Sequence, residues 1–239
     1  MTNQPLIKYL TASGSDSRRK MTDAIKSGRV SVNGKAAESF LQPVKAGTDD
    51  VTIDGKRIAY RKEKTTYLML NKPKGILSTT RDKRGNKTVL DIIPQKYQHI
   101  RLYPVGRLDK ESTGLILLSN DGDFTYRLTH PKFERGKEYL VQLDSNLTKE
   151  AKIRLERGLD LEDGKTAPAR IKAVKTLPFN YSITIHEGKK RQIRRMFAFL
   201  GYRVLELKRI RIDTLTIGSL AVGEIRELTL REIRFLQKE

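Results

Sequence analysis

The apolar run Gly-Leu-Ile-Leu-Leu-Ser at residues 114–119 is the feature that most constrains the fold of this chain. The run contains no polar alternation, and it ends in the turn sequence Asn-Asp-Gly at residues 120–122. A short, continuous apolar run between turn signals is typical of a strand that is buried on both faces. The sequence therefore predicts a sheet with this strand in its interior.

Capping residues and turn sequences predict the elements around that strand. Four helices are expected after N-caps, which are Ser17, Asp123, Thr148 and Thr229. Residues 189–201 predict a further helix, because their apolar residues recur on one face. Hairpins are expected at Asn-Gly or Asp-Gly pairs, at residues 33–34, 54–55 and 163–164. Strands and helices thus alternate irregularly, which favours an α+β fold with a mixed, mainly antiparallel sheet over a doubly wound parallel sheet.

The same pattern divides the chain into two predicted domains. Residues 1–61 form a small helix-and-hairpin module, residues 62–66 form a polar, charged linker, and residues 67–239 form the larger domain. Residues 1–62 contain 12 Lys and Arg residues against 6 Asp and Glu residues, out of 48 against 28 in the whole chain. Because both parts are basic, the charge does not come from one appended tail.

The net charge of +20 predicts a polyanionic partner, with nucleic acid first and an anionic membrane surface second. There is no cysteine, so disulfides, thiolate nucleophiles and cysteine-ligated metals are excluded. No signal-peptide pattern and no apolar stretch long enough to span a bilayer occurs in the sequence. We expect a cytoplasmic protein without a membrane partner, and a monomer, because the charge opposes self-association.

Few motifs in the chain could carry chemistry. The three histidines, His99, His130 and His186, have no metal-site spacing, so no metal is expected. Two features remain. One is Gly-Arg-Leu-Asp at residues 106–109, which is either a catalytic carboxylate or a turn whose Asp caps a segment or pairs with an arginine. The other is the basic stretch at residues 187–197, which is either a phosphate site or a solvated helix face.

A family resemblance favours the catalytic carboxylate for the first feature and the phosphate site for the second. The stretch GRLDKESTGLILLSNDGDF resembles the signature of the bacterial ribosomal RNA pseudouridine synthases, the RsuA and RluB family. Further blocks resemble that family in the expected order, namely LNKPKG, RLTHPKFERGKEYLV, GLDLEDGKTAPA, HEGKKRQIRRMF and GEIRELT. The resemblance covers residues 66–239. The N-terminal stretch DSRRKMTDAIKSGRVSVNGK is similar to a small RNA-binding domain found in a ribosomal small-subunit protein and in tyrosyl-tRNA synthetases.

The resemblance implies a reaction and a set of catalytic residues. A uridine of ribosomal RNA, or of a ribosomal subunit precursor, would be isomerised to pseudouridine without a cofactor, because the substrate contains every atom of the product. Asp109 matches the essential carboxylate, which would act as nucleophile or base at the sugar or the base. Tyr139 matches the tyrosine that packs on the target base, and Arg194 matches the basic partner of the aspartate. Arg107 would orient Asp109 or bind a phosphate.

The resemblance also implies RNA contacts on both domains. Those expected in the small domain are Arg18, Arg19, Lys20 and Arg29. Those expected in the larger domain are Lys72, Lys74, Lys189, Lys190, Arg191, Gln192 and Arg195. One departure concerns Gly136, which stands where the family usually carries a hydrophobic or acidic residue, so the geometry of the loop before Tyr139 is left open.

Two other functions compete with this interpretation. The first is an rRNA-binding or ribosome-assembly factor without catalysis, which would need cations but no buried carboxylate. The second is a hydrolase that pairs Asp109 with Asp121 or Asp123. Those two residues follow the whole apolar strand, so we expect them at its far end. The target uridine is not readable, although the N-terminal module favours large-subunit over small-subunit rRNA.

Overall fold

A computed structural model describes residues 3–14, 16–60 and 64–238. The chain forms two compact units, Met1–Lys64 and Thr65–Glu239. The predicted domain boundary falls partly on residues 61–63, which lie outside the described residues. No helix in the described ranges has the length and apolar character needed to span a membrane.

The first unit is built from two short helices and four antiparallel strand pairings. Its elements are β1 (Asn3–Pro5), α1 (Leu6–Ala12), α2 (Arg18–Lys26), β2 (Val30–Val32), β3 (Lys35–Ala36), β4 (Pro43–Lys45), β5 (Val51–Ile53) and β6 (Lys56–Arg57). Strands β3-β2-β5-β6 form one antiparallel sheet and β1 pairs with β4. The Ser17 hydroxyl accepts from the Lys20 amide (3.3 Å), so Ser17 caps α2 as expected.

The second unit contains a nine-stranded sheet with helices. Its elements are β7 (Tyr67–Lys72), β8 (Tyr103–Val105), β9 (Thr113–Ser119), α3 (Gly122–Thr129), β10 (Lys137–Leu143), α4 (Lys149–Arg157), β11 (Asp160–Leu161), β12 (Gly164–Lys165), β13 (Arg170–Thr176), β14 (Phe179–Ile185), α5 (Gln192–Phe199), β15 (Val204–Ile212), β16 (Leu215–Thr216), β17 (Ile225–Glu227) and α6 (Leu230–Gln237).

The sheet runs in the order β13-β14-β10-β15-β9-β7-β17, with β8 added to β9 and β16 added to β15. Strand β9 pairs in parallel with β15, whereas the other named pairings of the described strands are antiparallel. The predicted α+β class with a mixed, mainly antiparallel sheet is confirmed.

The apolar run at residues 114–119 forms the interior strand β9, as its pattern predicts. Leu115 and Leu117 pack into one hydrophobic cluster, while Ile116 and Leu118 pack into another. Successive side chains of a strand point to opposite faces, so β9 contributes to a separate core on each side of the sheet. Both faces are covered, and no polar residue is needed between Gly114 and Leu118.

Two helix starts differ from the expectation. Asp121, not Asp123, caps α3, because its Oδ1 accepts from the Phe124 amide (3.0 Å), and the helix begins at Gly122, two residues earlier than predicted. Helix α5 begins at Gln192 rather than at residue 189. Arg191 before it has φ 50°, in the left-handed region, so the basic residues in front of α5 form a turn.

Candidate active site

Asp109 lies in the loop between β8 and β9, and hydrogen bonds to the backbone hold that loop. Leu108, its neighbour, donates from its amide to the Ser78 hydroxyl (3.1 Å), and the same hydroxyl donates to the Leu108 carbonyl (2.9 Å). The Asp109 carbonyl accepts from the Ser112 amide (3.0 Å). These bonds fix the backbone on both sides of the carboxylate, which limits the entropy lost when it acts on a ligand.

Lys72 supports the same loop from behind. It is fully buried, and its ammonium donates to the carbonyls of Ile76 (2.8 Å), Pro73 (3.0 Å) and Lys110 (3.3 Å). Burial lowers the pKa of Lys72 to about 8, while the carboxylates of Glu111 and Asp109 act in the opposite direction. An ammonium enclosed in this way cannot contact a phosphate, so the prediction that Lys72 binds RNA is corrected.

Asp109 opens into a cavity of about 600 Å³. Its walls come from the loop around Asp109, the end of α3, strands β10 and β15, and residues 185–194. Arg107, Asp109, Tyr139 and Arg194, the four residues expected to be catalytic, all line this cavity. They come from three distant parts of the chain, and the tertiary structure brings them together.

Tyr139 forms part of the cavity wall from β10. It pairs with Ile183 of β14 on one side and Arg209 of β15 on the other, beside a bulge at Glu138 and Tyr139 in the second pairing. Bulges re-aim side chains near functional sites. Gly136, the departure noted in the sequence, lies just before this point, and its carbonyl accepts from the Asp213 amide (2.7 Å). The loop before Tyr139 is therefore tied to the end of β15.

Arg194 enters the cavity from α5. Its Nη1 donates to the Val204 carbonyl (2.9 Å), whereas its Nε is buried without a hydrogen-bond partner. Burial and the charge of Arg191 lower the pKa of Arg194, and Asp109 counteracts them. Within the described residues no ion pair joins Arg194 to Asp109. The two groups interact through the cavity rather than by direct contact, a geometry that often tightens when a ligand binds.

Arg209 is a cavity residue that the sequence-based prediction missed. Its side chain is 2% exposed, its Nε donates to the Leu115 carbonyl (2.7 Å), and its Nη2 has no partner. The guanidinium carbon lies 6.0 Å from the centre of the Tyr139 ring. Burial is the main cause that lowers the pKa of Lys137 to about 8, and the charge of Arg209 lowers it further. Four of the nine residues of β15 are charged, so the sequence contains no signal that Arg209 in particular is buried.

The cavity is strongly positive. Eight Lys or Arg side chains line it against two carboxylates, Asp109 and Glu187. Glu187 is already bound by the Ala167 amide (2.9 Å) and by the side-chain amide of Gln192. Asp109 is thus the carboxylate left for chemistry in a site suited to a polyanion.

The structure does not support a hydrolase in which Asp109 pairs with a second carboxylate. Neither Asp121 nor Asp123 lines the cavity. Asp121 instead accepts from the Tyr67 hydroxyl (2.6 Å) and caps α3. Among residues 3–14, 16–60 and 64–238, no group of three or more His, Cys, Asp or Glu side chains could hold a metal ion.

The expected RNA contacts differ in their exposure, and several of them, whether exposed or not, already form ion pairs or hydrogen bonds within the protein. Gln192 lines the cavity but is only 3% exposed, and both ends of its side-chain amide are engaged, since its Oε1 accepts from the Lys189 amide (3.0 Å) and its Nε2 donates to Glu187. It therefore braces the turn before α5, and the prediction that it contacts RNA is corrected. Lys189 lines the cavity, although its ammonium donates to three carbonyls at residues 163–165. Arg195 donates to both carboxylate oxygens of Asp163 (2.8 Å each). The exposed members are Arg18, Arg19, Lys20, Arg29, Lys74, Lys190 and Arg191.

Comparisons with known proteins bear on this site. Residues 66–199 match a family model described as RNA pseudouridylate synthase. The chain is 41% identical over 239 residues to the ribosomal large subunit pseudouridine synthase B of Bacillus subtilis, covering 97% of this chain and 95% of that protein. It is 38% identical over 230 residues to the dual-specificity RNA pseudouridine synthase RluF of Escherichia coli, covering 95% and 76%. A crystal structure of a pseudouridylate synthase superimposes with a TM-score of 0.69 at 32% identity, covering 98% and 99%.

Proposed function

Because the chain belongs to the RNA pseudouridylate synthase family, we propose that it isomerises one uridine of ribosomal RNA to pseudouridine, with Asp109 as the essential carboxylate. One observation carries the assignment of Asp109: it is the unengaged carboxylate in a cavity lined by eight cationic side chains. The name of the B. subtilis relative supports a large-subunit rRNA as the target.

The reaction needs no other reactant. The bond between N1 of uracil and C1′ of ribose breaks, the base turns, and C5 bonds to C1′ while the C5 proton is passed to the base nitrogen. Asp109 acts at the sugar or at the base, as nucleophile or as the base that takes this proton. The hydrogen bonds of Ser78 and Lys72 that hold its loop make either role possible without rearrangement of the backbone.

Arg194 and Arg107 supply positive charge around the reacting atoms. Arg194, which interacts electrostatically with Asp109, stabilises the carboxylate and any negative charge that develops on the uracil. Arg107 is exposed at the cavity mouth, where it binds the phosphate of the target nucleotide.

Tyr139 and Arg209 form the wall on which the target base rests. The uridine must leave its stack to reach Asp109, which costs a few kcal/mol. Contact with the Tyr139 ring offsets part of this cost, and Arg209 behind that ring holds it in place. Proposed phosphate contacts come from Lys190 and Arg191 at the cavity and from the cations of the first unit. We propose that this first unit, residues 1–61, grips structured RNA.

Asp109→Asn tests the assignment. Ribosomal RNA incubated with wild-type protein should gain one pseudouridine, detected as a carbodiimide-dependent stop in primer extension. The Asp109→Asn protein should bind the same RNA and give no stop, because the amide can neither attack nor accept a proton. Asp160→Asn, at an exposed carboxylate outside the cavity, is the matched control and should behave as wild type.

Two results would contradict the proposal. Measurable turnover by purified Asp109→Asn protein would remove Asp109 from the chemistry. Absence of a stop with wild-type protein on free rRNA, subunits and assembly intermediates would favour an RNA-binding factor without catalysis.

A further inference from the structure

Three aromatic side chains form an exposed cluster where α3 ends. The rings of Tyr126 and His130 lie 4.7 Å apart, and those of Tyr126 and Phe133 lie 5.7 Å apart, edge to face at 89°. Tyr126 is 47% exposed. We name this cluster, Tyr126, His130 and Phe133, the aromatic platform. Single exposed aromatic residues are ordinary, but grouped rings that remain open to solvent indicate a binding surface.

The platform lies at the rim of the active-site cavity. His130 and Pro131 line that cavity, while Phe133 lines a neighbouring cleft of about 360 Å³. The cavity and the cleft share Arg135 and His186 as a common wall. A strand that enters the cavity and continues into the cleft would therefore pass the platform.

Hydrogen bonds hold the backbone that carries the rings, and the His130 ring itself, before any ligand arrives. The His130 amide donates to the Tyr126 carbonyl (2.9 Å), and the His130 Nδ1 accepts from the Lys132 amide (3.3 Å). The short helical turn Pro131–Phe133 then ends at Glu134, whose φ of 47° is in the left-handed region. Rings held in place in this way lose little entropy on binding.

The charges around the platform suit a nucleic acid. The ammonium of Lys132 lies 4.7 Å from the centre of the Phe133 ring and 5.2 Å from that of Tyr126. The adjoining cleft is lined by three arginines, Arg135, Arg170 and Arg211, against two carboxylates, Glu134 and Asp213. Flat rings flanked by cations match an unpaired RNA strand, in which bases alternate with phosphates.

We propose that the aromatic platform stacks the unpaired base next to the target uridine, and that Lys132 meets the adjacent phosphate. This rests on the proposed function only in taking RNA as the strand whose uridine enters the cavity. The platform would then select uridines in loops or opened helices, where a neighbouring base is free to stack.

A binding cycle tests the proposal without turnover. All proteins carry Asp109→Asn, and the probes are two short single-stranded RNAs with one uridine, flanked either by adenosines or by abasic nucleotides. The parent should bind the adenosine RNA between about fivefold and a hundredfold more tightly than the abasic RNA, measured by fluorescence anisotropy at low salt. Tyr126→Leu and Phe133→Leu should each lose most of that preference, while the salt dependence of binding stays the same because no cation is removed.

Phe199→Leu is the matched control. Phe199 is 50% exposed with the Arg154 guanidinium 5.5 Å from its ring, but it does not line the cavity, so the variant should keep the full preference. Thermal unfolding shows whether each variant is folded.

Equal preference in the parent and in the folded Tyr126→Leu and Phe133→Leu proteins would overturn the proposal and leave the rings for a protein partner. No preference in the parent would overturn it as well. Since the cycle measures binding alone, such results can coexist with Asp109-dependent isomerisation of rRNA, which would keep the proposed function intact.

Discussion

At Arg194, burial lowers the pKa of the guanidinium and the nearby Asp109 carboxylate raises it. Its neighbour Arg195 is paired with Asp163 and does not line the cavity. We expect Arg194→Ala to lower kcat by about a hundredfold, because charge at the reacting atoms is lost. Arg195→Ala is the control and should leave kcat unchanged, because its guanidinium is already paired with Asp163 and lies outside the cavity lining. Single-turnover kinetics measures the loss of kcat and a salt titration measures phosphate contacts, so a change in the salt slope alone for Arg194→Ala would make it a phosphate contact.

At Lys72, a buried ammonium makes stability depend on pH. Its pKa is about 8 in the folded protein against an ordinary value of 10.5. Between these values the unfolded chain binds more protons than the folded chain, so stability rises with pH through this window. Relative to Lys72→Met, the wild-type protein should gain up to about 3 kcal/mol of unfolding free energy from below pH 8 to above pH 10.5.

Urea unfolding at a series of pH values measures this difference. Lys74→Met is the control, because Lys74 is exposed and paired with Glu206, so no such gain is expected. If the difference in unfolding free energy between the wild-type and Lys72→Met proteins stays constant across this pH range, the Lys72 ammonium is not the titrating group.

At the scale of the element, Gly114 decides whether β9 and β15 can pair. It has φ 99°, and a Cβ at this position would lie 2.2 Å from the Arg209 carbonyl oxygen. That atom is backbone and cannot move without separating the strands. Gly114→Ala should therefore lower the unfolding free energy by at least about 2 kcal/mol and displace Arg209 from the Tyr139 ring.

Thermal unfolding checks the stability, and near-ultraviolet dichroism reports the tyrosine environment. Gly188→Ala is the control, since no atom lies within 4 Å of its added Cβ. A Gly114→Ala protein as stable as Gly188→Ala would mean that the parallel pairing tolerates a wider spacing.

At the scale of the whole molecule, the division into two compact units suggests that binding and chemistry are separable. Deleting residues 1–61 should leave a folded unit that retains kcat, because the residues lining the cavity all belong to Thr65–Glu239. The apparent KM should rise and the salt dependence of binding should fall, since the first unit contributes cations. Steady-state kinetics with rRNA measures both, and an unfolded product would show that the boundary is misplaced.

The sequence by itself determined the local elements and the reaction class. The Ser17, Thr148 and Thr229 caps and the hairpins at Asn33-Gly34 and Asp54-Gly55 form as predicted, because they depend on hydrogen bonds and backbone angles within a few residues. The third hairpin also forms, but its turn is Glu162-Asp163. The apolar run of β9 predicted its own burial on both faces. The resemblance at Asp109 predicted the family that the relatives confirm.

Only the tertiary structure decided which of the charged and polar residues are available. Lys72 and Gln192 were expected on the RNA surface and lie buried, whereas Arg209 was overlooked among the charged residues of β15 and lies beside Tyr139. The placement of Arg209 depends on a distant partner, the Leu115 carbonyl, and that of Lys72 depends on the distant Lys110 carbonyl as well as on the nearby carbonyls of Pro73 and Ile76. A charge pattern records that a cation is present, but desolvation and distant hydrogen-bond acceptors determine whether it faces RNA or holds the site together.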